Sequence, residues 1–179
     1  SVFTIKIVLE RMVLIITIFG NYFLLLRKEF DMNRITDYLT GIRRISKLHE
    51  SMLKEYVCQE YGMTLTEATV ISFLYNNPGR DTAADIVELR MMQKGNVSQA
   101  VETLVQKNLV KRRQDAEDRR KIHLSLTEES EAIVRTVEEV NRRFQATVFD
   151  GIAQEEMETF SAINLRIMQN AQRALGRKE

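Results

Sequence analysis

The spacing of apolar residues changes in one part of this chain, and that change constrains the fold most strongly. From residue 35 to residue 108, and again after residue 127, apolar side chains recur every three or four residues, which indicates helices. In between, Ile122, Leu124 and Leu126 alternate with polar residues, which predicts a strand. Leu109–Arg113 is its predicted partner, across the polar loop Gln114–Arg120. The sequence therefore predicts a mainly α-helical fold with one small β-hairpin.

Three predicted helices precede this hairpin, and helix-capping residues mark the start of the first two. Thr64 and Glu67 form a capping box that opens one helix, and Thr82 caps the next. A break around Met91–Lys94 separates the latter from a further helix that runs to about Asn108. Two helices joined by a tight turn and followed by a hairpin are the arrangement of a winged helix-turn-helix.

Long helices flank this unit on both sides. Apolar residues recur from Ile35 to Tyr56, and Thr127 caps a long helix that ends near Gly151. A last helix begins at about Glu155. These apolar faces predict packing against other helices, either in the same chain or in a second chain.

The first 31 residues differ from the rest. Met12–Leu26 is a nearly unbroken apolar run of 15 residues, whereas a helix that spans a bilayer needs about 20. Arg27-Lys28-Glu29 can be encoded by a purine-rich ribosome-binding tract just before Met32. We expect translation to start at Met32 and no association with a membrane; the alternative is a regulator tethered through Met12–Leu26.

The helix that directly precedes the hairpin presents a polar and almost uncharged surface. With Val97, Val101 and Leu104 turned inward, polar residues gather on the outward side and at its start. Asn and Gln suit adenine, and Lys suits phosphate or guanine, so this surface favours reading double-stranded DNA in the major groove. The candidate residues are Lys94, Gly95, Asn96, Ser98, Gln99 and Thr103.

Positive charge is concentrated in the same region. Arg90–Lys121 holds nine lysines and arginines against four acidic residues, in a chain with a net charge of +1. Such a window favours contact with phosphates; the alternatives are a solvated hairpin and a winged-helix module that binds an acidic protein. The basic residues of the hairpin are Arg112, Arg113, Arg119, Arg120 and Lys121.

Four segments together resemble the MarR (multiple-antibiotic-resistance regulator) family. They are Lys94–Val101, Lys107–Val110, Asp115–Lys121 with its D-x-x-D-R-R pattern, and Leu124–Thr127. The resemblance implies that Arg120, or Arg119, enters the minor groove while the preceding helix reads the major groove. It further implies that Asp118 holds the wing arginines through an ion pair.

The resemblance also implies a homodimer that reads a near-palindromic operator and responds to a small-molecule effector, which points to a repressor. Its dimerisation residues would include Ile35, Tyr38, Ile42, Phe160, Ile163 and Ile167. The chain then divides into an extension (1–31), a dimerisation helix (32–62), the DNA-binding lobe (63–126) and C-terminal dimerisation helices (127–179). One departure concerns the turn Arg90–Gln93, because family members often carry glycine there and this chain has it later, at Gly95.

Other residue types argue against catalysis and metal binding. One cysteine and two histidines provide no zinc cluster, and no phosphate-loop or hydrolase motif is present. We therefore expect a cytoplasmic protein that is not an enzyme and carries neither a metal nor a cofactor. Cys58 is expected to be a plain cysteine rather than a redox sensor, His49 to be hydrogen-bonded, and His123 to face solvent or phosphate.

Overall fold

The computed structural model describes residues 35–176. The predictions on Met12–Leu26 and on a start at Met32 lie outside these residues. Within this range, chain contacts assign residues 35–47 and 48–176 to two separate compact units. None of the helices within the described range is long and apolar enough to cross a membrane.

The first helix, α1, covers Ile35–Leu53 and continues as a π-helical turn over Lys54–Cys58 and a final α-helical turn over Gln59–Tyr61. It ends at Gly62, whose φ of 60° is left-handed, a conformation that glycine adopts without steric cost. The predicted helix is therefore confirmed, and it extends five residues beyond Tyr56.

Capping boxes begin the next two helices. In α2 (Leu65–Asn76), the Thr64 backbone N–H donates to Glu67 at 2.7 Å, and the Glu67 N–H donates to the Thr64 hydroxyl at 3.2 Å. In α3 (Ala83–Arg90), Thr82 and Asp85 form the same reciprocal pair. Each box satisfies backbone N–H groups that a helix start leaves without partners.

The remaining elements follow the predicted order, and the fold class is confirmed. They are α4 (Lys94–Gln106), β1 (Val110–Gln114), β2 (Ile122–Leu126), α5 (Glu131–Val148) and α6 (Gln154–Leu175). The strands pair antiparallel, with Val110 opposite Leu126 and Gln114 opposite Ile122.

The predicted cap at Thr127 is wrong. A short 3₁₀ turn, Glu128–Ser130, precedes α5, and the Thr127 side chain caps neither element. Its hydroxyl instead donates to the Asn108 carbonyl at 2.7 Å. Thr127 therefore fastens the end of the hairpin to the end of α4.

The core lies where α2, α4, β2 and α5 meet the end of α1. Leu53, Phe73, Leu104, Leu124 and Val137 are all buried in it, and each such side chain stabilises the fold by about 1.5–3 kcal/mol through burial. Helical spacing predicts that Tyr75 on α2 and Leu89 on α3 face inward, but both are exposed.

The apolar faces predicted to pair with a second chain are open in the single chain. Ile35 on α1 is 67% exposed and Phe160 on α6 is 50% exposed. Ile42, Ile163 and Ile167 are exposed as well, Tyr38 is half-buried, and α6 contains no buried residue. An uncovered face of this kind is unusual for a helix that works alone.

Candidate nucleic-acid interface

The turn between α3 and α4 forms without glycine. Met91 takes the left-handed conformation, with φ 52°, and its side chain is 81% exposed. The backbone N–H groups of Met91 and Met92 both donate to the Val87 carbonyl, which is the hydrogen-bond pattern of a left-handed helix end. The delayed Gly95 lies inside α4 and does not take part in the turn. The departure at this turn therefore leaves the two-helix unit intact.

The first half of α4 is an exposed polar surface, which we call the open face. Its inward residues Val97, Val101 and Leu104 are buried, as predicted, and fix the helix orientation. The side chains of the open face form no hydrogen bond or ion pair within residues 35–176. The open face consists of Lys94, Gly95, Asn96, Ser98 and Gln99.

Thr103 lies one turn further along α4 and is only half-buried. Its hydroxyl donates to the Gln99 carbonyl of its own helix at 3.1 Å. Of the six candidates on this helix, Thr103 is thus the one whose side chain is already engaged.

The hairpin runs beside the outward side of α4. Arg112 on β1 forms an ion pair with Glu102 on α4, with 2.8 Å between its guanidinium nitrogen and the carboxylate oxygen. Glu102 follows Gln99 by three residues, so the two share one side of the helix. The strand that leads to the wing and the open face therefore lie on the same side of the molecule.

The turn at the tip of the hairpin, residues 115–121, is the wing turn, and two aspartates shape it. Asp115 accepts the backbone N–H groups of Glu117 and Asp118 at 2.8 and 2.9 Å. The Lys121 N–H donates to the Asp118 carbonyl at 2.8 Å, and the Gln114 side chain donates to the Arg119 carbonyl at the same distance. Aspartate stabilises turns by this local bonding.

Asp118 also holds Arg120. One carboxylate oxygen accepts both the Arg120 backbone N–H, at 3.0 Å, and its Nε, at 3.1 Å. The Arg120 side chain is 92% exposed, and its hydrogen bonds lower the pKa of Asp118. The two residues that the resemblance paired do lie in contact, with the guanidinium presented to solvent.

His123 does not face solvent as predicted. Its side chain is only 15% exposed, and its Nδ1 and Nε2 lie 2.7 Å from Asp81 and 2.8 Å from Asp115. These carboxylates, Asp115 first, raise the pKa of His123. The Asp118 backbone N–H, followed by His123, lowers the pKa of Asp115 well below its usual range. This contact joins the wing turn to the segment that precedes α3.

From residue 94 to residue 121, eight lysines and arginines are exposed, and most remain available. Arg112, Arg120 and Lys107 form ion pairs with Glu102, Asp118 and Glu67. The other five form no ion pair with any residue from 35 to 176; they are Lys94, Lys111, Arg113, Arg119 and Lys121. The region therefore carries an uncompensated positive field.

Cys58 and His49, the other residues singled out in the sequence, both lie in partly buried surroundings. Burial raises the pKa of the half-buried Cys58 thiol, which disfavours a reactive thiolate. His49 lies 3.3 Å from the Asn141 side chain and contacts the Phe144 ring edge-on, and burial lowers its pKa. Across residues 35–176, no cluster of His, Cys, Asp or Glu could hold a metal ion.

Sequence reasoning missed three features here. They are the left-handed conformation of Met91, the Glu102–Arg112 ion pair and the bridging role of His123. Only the last had a sequence signal. Asp81 and Asp115 each precede a capped helix or a turn, which places carboxylates near both sides of the second strand.

Comparison with known proteins agrees with this geometry. Residues 61–121 match the model of the MarR family. No curated protein matches the sequence. A MarR-family transcriptional regulator from Silicibacter pomeroyi superposes with a TM-score of 0.66 at 20% identity, over 80% of this chain and 94% of that one.

Two further structures share the fold. One is a MepR–DNA complex of S. aureus, with a TM-score of 0.58 at 21% identity over 74% of this chain and 97% of that one. The other is Bordetella bronchiseptica BpsR, with a TM-score of 0.54 at 21% identity over 73% and 96%. The resemblance seen in the sequence is thus confirmed: residues 61–121 match the MarR family model, and the chain shares the fold of solved MarR-family structures.

Proposed function

We propose that this chain is a sequence-specific DNA-binding transcriptional regulator. The observation that carries the proposal is the open face of α4, whose polar side chains have no partner in the described part of the chain. It lies on the same side as a hairpin that ends in an exposed arginine. An α-helix fits the major groove, and an arginine fits a narrow minor groove, whose potential is more negative. MepR, which shares the fold, is described in complex with DNA.

On α4, each polar side chain of the open face matches a chemical group of DNA. Asn96 and Gln99 offer an amide donor and acceptor that match adenine, and Ser98 can bond to several bases. Lys94, at the start of the helix, suits a phosphate or a guanine. Because these side chains have no partners among residues 35–176, contact with DNA breaks no bond within that part of the chain.

The wing supplies the second set of contacts. Arg120, held by Asp118, enters the minor groove, with Arg119 as the neighbouring candidate. Arg113 and Lys121 contact phosphates. Because each phosphate contact releases a bound counterion, affinity should fall steeply as salt rises.

The regulator acts as a homodimer. The exposed apolar faces on α1 and α6 supply the surface, through Ile35 and Ile42 on one helix and Phe160, Ile163 and Ile167 on the other. A twofold dimer reads a near-palindromic operator with half-sites about one helical turn apart. Sedimentation of the full chain should give a dimer, and Ile163→Asp with Ile167→Asp should give monomers that bind DNA weakly.

An effector-responsive repressor in the cytoplasm is the finer form of this proposal. BpsR is described as regulated in its DNA binding by 6-hydroxynicotinic acid. An effector acts on this chain only if it binds the DNA-incompetent arrangement more tightly, by a few kcal/mol.

Selection of bound sequences from a random duplex pool tests the proposal. We expect a near-palindrome to be recovered at low and at physiological salt. The matched control is the Gln99→Ala, Arg120→Ala double variant, which should bind more weakly and recover a motif without the base preference read by Gln99. Failure of the parent chain to enrich any sequence, together with retention on an acidic protein partner, would favour the protein-interaction module instead.

A further inference from the structure

The ring of His123 faces two carboxylates, and chemistry limits how it can satisfy both. Nδ1 lies 2.7 Å from an Asp81 oxygen, and Nε2 lies 2.8 Å from an Asp115 oxygen. A neutral imidazole has a single N–H and can donate to only one of them, whereas the imidazolium donates to both. With a neutral ring, one contact would set a nitrogen lone pair against a carboxylate oxygen. The two short contacts therefore favour the protonated ring, the form that can donate to both carboxylates.

This cluster of Asp81, His123 and Asp115 joins the wing to the helix-turn-helix. Asp81 directly precedes Thr82, the cap of α3, and its carbonyl accepts the Leu124 N–H at 2.7 Å. Asp115 opens the wing turn and accepts two of its backbone N–H groups. Arg120 lies on that same turn, so the two ends of the cluster are the two parts that must reach adjacent grooves together.

Other charged groups around the ring are few. Lys121 lies nearby on the hairpin and opposes protonation, and Arg113 is the cross-strand neighbour of His123. On the α3 side, Arg80 is engaged with Asp85. The two carboxylates outweigh these cations, and the pKa of His123 is raised from 6.5.

We propose that His123 is a positioning residue whose protonation fixes the wing against the start of α3 and makes operator binding pH-dependent. The inference rests on the proposed function for its consequence, because wing placement matters only if the wing contacts DNA. As the pH rises through the pKa of His123, the ring loses its second proton donor and the contact to one aspartate breaks. The wing turn then becomes more mobile, and affinity for DNA falls.

The cluster can be tested without DNA. The chain has only two histidines, so ring NMR signals can be assigned by comparison with His49→Gln. We expect the His123 signals to titrate above pH 6.5 and the Glu117 and Asp118 amides to shift over the same range. A His123 ring that titrates below that pH, or wing amides that do not follow it, would overturn the proposal whatever the protein binds.

The consequence is tested with the duplex recovered by selection, in binding titrations from about pH 6 to about pH 9 at fixed salt. The parent chain should lose affinity by about fivefold or more, in the usual range of coupling between two sites. His123→Gln should bind weakly at every pH. Asp81→Asn should remain tight at every pH, because the introduced side-chain amide can donate to a neutral ring that in turn donates to Asp115.

These variants separate the possible failures. His49→Gln is the matched control and should keep the pH dependence of the parent. Equal pH slopes in the parent chain, His123→Gln and Asp81→Asn would refute the positioning role while leaving DNA binding established. A titrating cluster in a chain that selects no duplex would refute the proposed function instead.

Discussion

The wing turn and the open face of α4 lie on one side of the molecule, yet they differ in whether their polar side chains form hydrogen bonds with neighbouring residues. In the wing turn, Asp115, Asp118 and Arg120 each bond to neighbours in the same turn. On the open face, the side chains of Asn96 and Gln99 form no hydrogen bond within residues 35–176. The wing turn is thus shaped by its own hydrogen bonds, whereas the side-chain donors and acceptors of the open face remain unpaired within residues 35–176.

This difference follows from how each part offsets the conformational entropy that it loses on folding. A short turn of polar residues has little apolar surface to bury, so local bonds must offset the entropy lost on ordering it. The open face is ordered by the buried Val97, Val101 and Leu104 on the other side of the helix. Its outward side chains are therefore free to differ between proteins of the same fold without loss of stability.

The largest expected effect concerns the ordered arginine of the wing. Arg120→Ala should weaken binding to the selected duplex by about 10- to 100-fold, because a guanidinium in a narrow minor groove is lost from each half-site. Fluorescence anisotropy at fixed salt measures the change. The matched control is Arg119→Ala, whose side chain is not held by Asp118 and should matter less. A larger loss with Arg119→Ala would exchange the roles of the two arginines.

The next largest effect concerns the base that Gln99 on the open face recognises. Gln99→Ala should remove about 1–3 kcal/mol of discrimination at one base pair in each half-site, while the free energy of unfolding stays within about 0.5 kcal/mol of the parent. Repeating the duplex selection with the variant detects the change. Gln106→Ala, at the far end of the same helix, is the control and should leave the preferred sequence unaltered. An unchanged motif for Gln99→Ala would remove Gln99 from the readout.

The elements of the fold were predictable because local chemistry specifies them. The capping boxes at Thr64 and Thr82 fix two helix starts with their own side chains. The strict alternation of Ile122, Leu124 and Leu126 fits a strand and no helix. The Asp118–Arg120 contact, which the family resemblance implied, also spans only two residues. In these cases, the partners are close in the sequence.

The contacts that escaped prediction join residues far apart in the sequence. His123 meets Asp81 across 42 residues, and Arg112 meets Glu102 across a helix end and a turn. Thr127 has the pattern of a helix cap, yet the Asn108 carbonyl takes its hydroxyl. The inward faces of short helices were also only partly predictable, because Leu89 lies near a helix end where few neighbours cover it.

A pH series sharpens the comparison, because the hairpin carries His123 and the open face contains no histidine. The raised pKa of His123 means that its contribution to stability is complete below about pH 6.5 and is lost as the pH rises through the folded-state value. The difference in melting temperature between the parent and His123→Gln should therefore be a few degrees at about pH 6 and shrink by about pH 9. A difference that stays constant over this range would mean that the ring only packs.

The smallest effect concerns the turn that orients the open face. Met91 adopts a left-handed conformation, which costs a residue with a side chain about 1–2 kcal/mol. Glycine avoids that strain but loses about 0.5–1 kcal/mol through its more flexible unfolded state. Because the Met91 side chain is 81% exposed, little packing is lost, and Met91→Gly should raise the free energy of unfolding by at most about 1 kcal/mol.

Denaturant unfolding measures this change, and Met91→Val is the opposite control, since a β-branched residue tolerates the left-handed region poorly. Valine should lower stability, while the DNA affinity of the glycine variant stays close to that of the parent. A glycine variant that is less stable than the parent would mean that the Met91 side chain contributes a contact that outweighs its strain. If instead stability rises and affinity falls, the strained turn at Met91 holds the open face in the orientation that DNA binding requires. Local structure would then fix the orientation of α4, as hydrogen bonds fix that of the wing turn.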